Sequence, residues 1–421
     1  MKTYTPALTP AVLGRLRDYA ALFAPDFPRA KPARWAGVYL HGLLLDGERK
    51  SIEPLSRRVS LPEGLTSQDP EQALQQFVSH SPWDDQKVLR RYRARLAETF
   101  ADPAGLFVID DTTFPKQGRH SVGVQRQYCG ALGKKANCQA AVSVHYVAPK
   151  GHYPLALRLY LPEGWLADPG RLDRARVPPE FRRPRTKGQI ALDLLDQVRA
   201  EGLPGRVVLA DAGYGVSGDF RQGVADRGLH YIAGVTDEVV VFPGPPAWDR
   251  PAGRTGGRPQ TNPQLRPGAP RPIRLRDLAA RVPRRKVTWR VGTKGKMSGR
   301  FAWVRVWPGH GWKRGECAGA DPAWLLVEEQ ADGTIKYALS NLPADTSRLR
   351  AVRLWKSRWP VEQGYQQMKE ELGLDHFEGR SWPGFHHHAA LVLLAYGFLL
   401  LERQRAGDPP GRGKKGARSV R

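Results

Sequence analysis

The chain has 421 residues, enough for two or three domains with a large buried core. Its hydrophobic share of 41% and charged share of 25% are those of a globular protein and exclude a wholly disordered or fibrous chain. A formal net charge of +25 and a pI near 10.3 indicate a polyanionic partner, most simply nucleic acid, and three cysteines without CxxC spacing exclude a disulfide framework or a zinc finger.

The first hundred residues predict a helical region, 1–102, that we expect to bind DNA. Apolar residues recur there at helical spacing in four segments, which proline and glycine separate. No apolar stretch of signal-peptide type opens the sequence. The last helical segment carries Lys87, Arg90, Arg91, Arg93 and Arg95, which is either a DNA-facing surface or a solvated one.

From residue 103 the pattern is that of a mixed sheet with helices, predicted over 103–236. LFVID (106–110) is typical of a buried strand that ends in acids, and RVVLADAGYG (206–215) of a strand that ends in an acid and a glycine-rich turn. Strand patterns at 121–130, 137–148 and 153–162 and a helical one at 188–202 lie between them. The predicted class is α/β or α+β with one mixed sheet.

Residues 237–344 predict a basic, β-rich insertion. Between Arg250 and Arg300 there are 15 Lys and Arg residues against one acid, Asp277. The segment 243–272 reads as a loop, and 286–308 and 323–343 read as hairpins, the second turning at Asp332 and Gly333. Helices return over 345–402, and the basic tail 403–421 is predicted to be disordered.

No membrane segment is expected. The longest apolar run, Ala389–Leu401, is too short to span a bilayer and is interrupted by Tyr396 and Gly397, so it favours a core helix. We therefore expect a soluble intracellular protein.

Three acidic positions suggest a metal site. Asp110 and Asp111 end the first strand, Asp211 ends a later strand, and Glu362 lies beyond the insertion. Carboxylates that converge at strand ends can hold Mg²⁺ or Mn²⁺ through oxygen, leaving positions for water and substrate phosphate. Two such ions would suit phosphodiester displacement, whereas a turn cap is the alternative for a lone strand-end Asp.

The stretch WKSRWPVEQGYQQMK (355–369) places Glu362 among an aromatic ring and two cations. Trp355, Arg358 and Lys369 stand at spacings that return to one helix face. Pro360 limits that picture, because proline belongs in a first helical turn and not in a helix interior. The regular helix is predicted to begin at Pro360, with Arg358 on the preceding turn and Glu362 in the first turn.

These motifs resemble insertion-sequence transposases of the IS701 group, within the IS4-like DDE superfamily. VIDDTTFPKQGRHSVGVQRQYCGALGKKANCQAAVSVHY resembles the first-acid region, LADAGYG the second, and the 355–369 stretch the Y-(2)-R-(3)-E-(6)-K signature. Trp355 stands where that signature has Tyr, so the ring is kept and the hydroxyl is lost. The resemblance covers roughly residues 30–400.

The resemblance implies an RNase H-like core with an insertion before the Glu helix, and cut-and-paste DNA transposition. It makes Asp111, Asp211 and Glu362 the metal-binding catalytic triad. Trp355, Arg358 and Lys369 are expected to contact DNA. It also implies that a homodimer pairs the two ends of the element. The implied substrate is double-stranded DNA, first at the terminal inverted repeats and then at the target.

Several points stay open at the level of sequence. Strand alternation puts Asp110 and Asp111 on opposite faces, and only the resemblance favours Asp111 as the first ligand. Trp303, with Trp289 and Trp307, would stack on an extruded DNA base or pack in a core strand. The cationic runs Lys134-Lys135 and Arg182–Lys187 either contact the DNA backbone or are solvated charge. The histidines His386–His388 are read as a DNA-facing or boundary cluster rather than as a metal site. A metal-dependent nuclease without strand transfer, and a transposase-derived DNA-binding regulator, are the alternative functions.

Overall fold

The computed structural model describes residues 8–249, 263–292, 295–310 and 321–407. These residues form two compact units. The first unit takes its residues from 1–105, 109–205 and 359–421, and the second from 106–108 and 206–358. The unit boundary therefore falls inside the first strand. The predicted disordered tail lies mainly outside the described residues, since the last described helix runs to Arg405.

The amino-terminal part of the first unit is helical, as predicted. Side chains at the start of three of these helices accept backbone N–H groups: Thr9 from Val12, Asp69 from Gln72, and Asp84 from Gln86 and Lys87. The helices are α1 (Pro10–Leu22), α2 (Ala30–Leu44), α3 (Ile52–Ser56), α4 (Pro70–Ser79) and α5 (Asp85–Phe100).

Four strands of the first unit follow: β1 (Leu106–Pro115), β2 (Gln125–Cys129), β3 (Lys134–Ala148) and β4 (Gly151–Leu159). β3 pairs antiparallel with β2 and β4, and β1 lies beside β3 in the strand order. The middle of β3, from Cys138 to Tyr146, is buried without a break. Both faces of this stretch are therefore covered, so that even the polar side chains of Ser143 and His145 are buried.

The remaining helices of the first unit are α6 (Glu163–Leu166), α7 (Pro169–Arg174), α8 (Lys187–Ala200), α13 (Trp359–Gln366) and α14 (Trp382–Arg405). A π-helical segment, Gln367–Glu371, directly follows α13. Among the described helices α14 alone is long and apolar enough to span a membrane, but 89% of its apolar window is buried inside the protein. That burial is typical of a core helix, in agreement with the prediction for 389–401.

The second unit is built mainly of strands. β5 (Val207–Ala210) pairs parallel with β6 (His230–Val235), and β6 pairs antiparallel with β14 (Ile335–Ser340), so the sheet is mixed. The start of β1, Leu106–Val108, belongs to this unit and neighbours β5. The mixed α/β class predicted from the sequence is thus confirmed.

The two predicted hairpins are present. β11 (Arg285–Gly292) pairs with β12 (Gly295–Pro308), and β13 (Ala323–Glu329) pairs with β14, both antiparallel. Gly333, at the second turn, has φ +85°, a left-handed conformation that favours glycine. Part of the predicted loop 243–272 lies outside the described residues. The other elements of this unit are α9 (Ala212–Gly215), α10 (Gly218–Asp226), β7 (Val240–Phe242), β8 (Trp248–Asp249), β9 (Gln264–Leu265), β10 (Ile273–Arg274), α11 (Leu275–Ala279) and α12 (Arg348–Lys356).

Candidate active site

Asp110 and Asp111 lie in the middle of β1, which continues through buried residues to Pro115, so they do not end the strand as the sequence predicted. The four residues before them are buried, whereas both aspartates are partly exposed. Asp110 Oδ1 accepts the Asp111 backbone N–H at 2.9 Å, and Ser143 Oγ of β3 donates to the Asp110 carbonyl at 3.3 Å. The buried strand and these bonds hold the two carboxylates in place.

Asp211 follows β5, whose four residues are all buried. Its Oδ1 accepts the Gly213 backbone N–H at 2.9 Å, so the carboxylate also caps the short helix α9. The sequence predicted a strand, an acid and a glycine-rich turn at this place, and the structure confirms that order. A cap uses only part of the acceptor capacity of a carboxylate, which leaves oxygen lone pairs for another partner.

Asp110 and Asp111 are neighbours on β1, and we call these two residues the acidic pair. One carboxylate oxygen of each lies within 4.8 Å of the other. Such carboxylates repel each other unless a cation lies near them, and their oxygen donors suit a hard divalent cation. The choice between Asp110 and Asp111 as the first ligand, which the sequence left open, stays a prediction.

Lys187 already brings a positive charge to the acidic pair. Its Nζ donates to Asp111 Oδ2. Lys187 is the first residue of α8, and a reciprocal capping box between Thr186 and Gln189 fixes where that helix begins. Sequence reasoning considered Lys187 only as a DNA contact or a solvated charge and missed this pairing. The capping pattern locates the helix start, but nothing local indicates a partner 76 residues away.

Glu362, predicted as the third catalytic acid, lies in the first turn of α13 and is exposed. It belongs to the same unit as the acidic pair. Tyr365, one turn further along, hydrogen-bonds through its hydroxyl to Ser143, the residue that also contacts Asp110. The helix that carries Glu362 is therefore attached to the strand next to β1. The role of Glu362 stays a prediction.

Trp355 and Arg358 precede that helix. Trp355 belongs to α12, is 9% exposed, and donates through Nε1 to Glu328 Oε2 at 2.8 Å. Arg358 lies in the turn after α12, with its guanidinium carbon 5.9 Å from the centre of the Trp355 ring. The argument from Pro360 is confirmed, because one helix ends at Lys356 and the next begins at Trp359. The DNA contacts of both residues stay predictions.

Lys369 reaches the strand that carries the acids. It lies in the π-helical segment, and its Nζ donates to the Thr113 carbonyl at 3.1 Å, two residues after Asp111. Burial lowers its pKa, which nearby Asp375 partly offsets. A π-helical turn shifts the direction of side chains relative to a regular helix. The predicted phosphate contact of Lys369 is not tested by these contacts.

Trp303 is part of the packed interior of the second unit. It is 8% exposed, stacks on Trp324 at 4.7 Å between ring centres, and donates through Nε1 to the Thr346 carbonyl at 3.0 Å. These contacts are those of the core-strand alternative. Base stacking by Trp303 stays a prediction that would require the ring to leave this environment.

The three consecutive histidines of α14 are buried in the first unit. His386 Nδ1 faces the Trp382 carbonyl, His387 stacks on Trp83 at 3.9 Å, and His388 bonds to the Tyr39 hydroxyl and the Gly373 carbonyl. Burial lowers the pKa of His386 and of His388 to about 4. The run faces protein atoms and neither DNA nor a boundary.

The cationic run of α5 is not a free surface. Arg93 is 1% exposed, forms two hydrogen bonds of 2.5 Å to Glu201, and donates to the Leu155 carbonyl. Arg91 pairs with Asp26, and Arg95 with Glu98. Much of this charge is thus neutralised by acids of the same unit, an outcome that the sequence did not indicate.

Comparison with known proteins identifies the family. A family model described as "DDE superfamily endonuclease" matches residues 22–296. The chain is 27% identical over 379 residues to a protein of Microchaete diplosiphon described as "Probable transposase for insertion sequence element IS701", covering 87% of this chain and 82% of that protein. A cryo-EM structure of the piggyBac transposase synaptic complex with hairpin DNA aligns with 98% of this chain and 75% of its own, at 12% identity and a TM-score of 0.45.

Proposed function

Because the chain belongs to the DDE superfamily of endonucleases, we propose that it is a DNA transposase that moves an insertion sequence by cut-and-paste transposition. The observation that carries the proposal is the placement of Asp110 and Asp111 on one buried strand, and of Asp211 directly after another, in a chain of this family. The likeness to the IS701 relative supports transposition over simple cleavage, and the net charge of +25 suits a DNA substrate.

The donor chemistry of Asp110, Asp111 and Asp211 fits a divalent cation. Carboxylates offer oxygen ligands only, which Mg²⁺ and Mn²⁺ prefer over nitrogen or sulfur. We propose Mg²⁺ or Mn²⁺, in two sites, with Glu362 as a further ligand. Such ions activate the attacking oxygen and stabilise the leaving oxygen in phosphodiester displacement.

The residues of the chain have separable roles in this proposal. The divalent ions are bound and oriented by three carboxylates. Asp110 and Asp111 are fixed by β1, and Asp211 is fixed by its bond to Gly213. Arg358 and Lys369 position DNA phosphates, since phosphate contacts fix the register of DNA on a protein. The reaction needs no covalent enzyme intermediate, because positioning of the DNA and electrostatic stabilisation of the transition state are sufficient.

We also propose the wider setting of the reaction. The core is RNase H-like, and the substrate is double-stranded DNA at the terminal inverted repeats of the element, followed by target DNA. Two copies of the chain pair the two ends as a homodimer. The protein acts in the bacterial cytoplasm on nucleoid DNA.

The test is cleavage of duplex DNA that carries the inverted repeats flanking the coding region, with Mg²⁺. Wild type is expected to nick it, and Asp111→Asn, Asp211→Asn and Glu362→Gln to lose at least about a hundredfold in rate, as when an electrostatic catalytic group is removed. Equal cleavage by wild type and Glu362→Gln would remove Glu362 from the site. The cleavage rates of Asp110→Asn and Asp111→Asn show which of these two residues of β1 contributes more to catalysis.

Joining separates the proposal from its nearest rival. A labelled 3′-OH end incubated with plasmid is expected to become covalently attached to it. Cleavage without attachment would instead identify a nuclease, and duplex binding without any cleavage a DNA-binding regulator.

A further inference from the structure

The ribbon of β2 and β3 is rich in exposed cations. Its residues are Gln125–Cys129, the turn Gly130–Leu132, Gly133 and residues 134–137 of β3, which we call the β2–β3 ribbon. Arg126, Lys134 and Lys135 are exposed, and none of them takes part in an ion pair found among the described residues. From residue 112 to residue 162 the sequence has seven Lys and Arg residues and no Asp or Glu. Nothing within this stretch can neutralise them.

The ribbon also exposes two large apolar side chains. Tyr128 is 63% exposed and Leu132 is 48% exposed, whereas Cys129 between them is fully buried. Single exposed apolar residues are common, but an aromatic ring at the tip of a cationic ribbon is typical of contact with nucleic acid. Gly133, with φ +63°, allows the tight turn that brings the two strands together.

The register places cations on both faces of the β2–β3 ribbon. Tyr128 pairs with Lys135 and Arg126 with Asn137, so Arg126, Tyr128 and Lys135 share one face. Cys129 pairs with Lys134, which therefore lies on the opposite face. β2 ends the strand order of the sheet, so its outer edge has no neighbouring strand among the described residues.

The tip of the ribbon is anchored beside the acidic strand. Thr113 Oγ1 accepts the Ala131 backbone N–H at 3.2 Å and lies 3.4 Å from Cys129 Sγ. Thr113 follows Asp111 by two residues on the same face of β1, a separation of about 7 Å along the strand. A DNA segment held by the ribbon would therefore run close to the proposed cleavage site.

We propose that the β2–β3 ribbon enters the major groove of the duplex next to the cleaved bond. The proposal rests on the proposed function for the identity of the DNA, and on the ribbon's own geometry for the contact. A major groove admits a two-stranded ribbon, and cations on its two faces reach the phosphates of both groove walls. Tyr128 and Leu132 contact base edges, which include the thymine methyl group.

The test measures binding of a fluorescein-labelled, blunt-ended duplex of random sequence over a range of NaCl concentrations, with EDTA to prevent cleavage. Lys135→Glu is expected to weaken binding about tenfold at low salt. It should also reduce the slope of log affinity against log salt by about 1, as for one lost phosphate contact. Tyr128→Ala is expected to weaken binding about fivefold with an unchanged slope, because its contact is not ionic.

Lys150→Glu is the matched control. Lys150 is exposed in the turn at the other end of β3, roughly 45 Å along the strand from Lys135, and the substitution makes the same charge change. It is expected to alter affinity less than twofold. Thermal unfolding should be the same for all three variants, since every substituted side chain is exposed.

Two results would overturn the ribbon proposal: equal weakening by Lys135→Glu and Lys150→Glu, or wild-type binding by Tyr128→Ala. Both results come from binding measurements in EDTA, without metal, so they do not depend on catalysis. Failure of wild type to cleave element ends, with these binding differences intact, would instead count against the proposed function alone.

Discussion

The ion pair of Lys187 with Asp111 reduces the net negative charge of the acidic pair. The ammonium group bonds to a carboxylate oxygen that a metal ion would also use, and both side chains are partly exposed. A bound cation and Lys187 would therefore compete for Asp111 Oδ2 and repel each other. This ion pair offsets part of the repulsion between the two carboxylates of the acidic pair.

We expect Lys187→Gln to bind Mn²⁺ two- to fivefold more tightly than wild type, since a partly exposed ion pair is worth at most about 1 kcal/mol. Electron paramagnetic resonance of free Mn²⁺ measures this without any turnover. Lys187→Arg keeps the charge and should resemble wild type. Weaker Mn²⁺ binding by Lys187→Gln would mean that the lysine orients Asp111 for the metal and does not compete with it.

Lys369 offers a second prediction for a single residue. Its ammonium group is partly buried against the Thr113 carbonyl, and burial lowers its pKa. Lys369→Met should retain the fold because the alkyl chain remains, whereas DNA cleavage should fall about tenfold or more if the ammonium contacts phosphate in the complex. Unchanged cleavage with unchanged thermal unfolding would limit Lys369 to a structural role.

Among the elements, α5 depends on one buried arginine. Arg93 joins this helix to Glu201, at the end of α8, and to the Leu155 carbonyl of β4. A helix with five cations would be expected to face solvent or DNA, yet its central arginine holds three elements of the first unit together.

We expect Arg93→Ala to lower the free energy of unfolding by about 3–5 kcal/mol, because it removes both hydrogen bonds of 2.5 Å from a largely buried carboxylate and leaves it only Arg90 at 3.9 Å. Arg95→Ala removes an exposed pair with Glu98 on the same helix and should cost no more than about 1 kcal/mol. Urea unfolding of both variants measures the difference. Equal losses would show that the buried pair contributes nothing beyond helix propensity.

At the scale of the whole molecule, the buried histidines of α14 predict how stability depends on pH. Burial lowers the folded-state pKa of His386 and of His388 to about 4, from an ordinary value of 6.5. Between these pH values the unfolded chain binds more protons than the folded chain. The stability is therefore complete above pH 6.5 and is lost as the pH falls from 6.5 towards 4.

Each of these histidines should lower the free energy of unfolding by about 1.4 kcal/mol for each unit by which the pH falls within that window. Urea unfolding at pH 7 and at pH 5 measures the slope. His388→Gln can keep hydrogen bonds to Tyr39 and Gly373 but cannot bind a proton, so its slope should be smaller by one proton. If the slope of unfolding free energy against pH is unchanged in this variant, groups other than His388 cause the pH dependence.

Much of the fold follows from the sequence alone. Helical spacing in the first hundred residues, the strand pattern that ends at Asp211 and the turn at Gly333 all predict elements that the structure confirms, whereas the first strand continues beyond Asp111 to Pro115. The proline at position 360 likewise located the break between two helices. These signals are local, because periodicity, caps and turns depend on residues within a few positions of each other.

Only the tertiary structure decided which side chains meet. It paired Lys187 with Asp111, 76 residues away in the sequence. It also buried Arg93 and exposed Tyr128. A charge run or an aromatic residue looks the same in the sequence whether it faces solvent, an acid or the core. Its environment is set by residues far away along the chain, which local patterns do not encode.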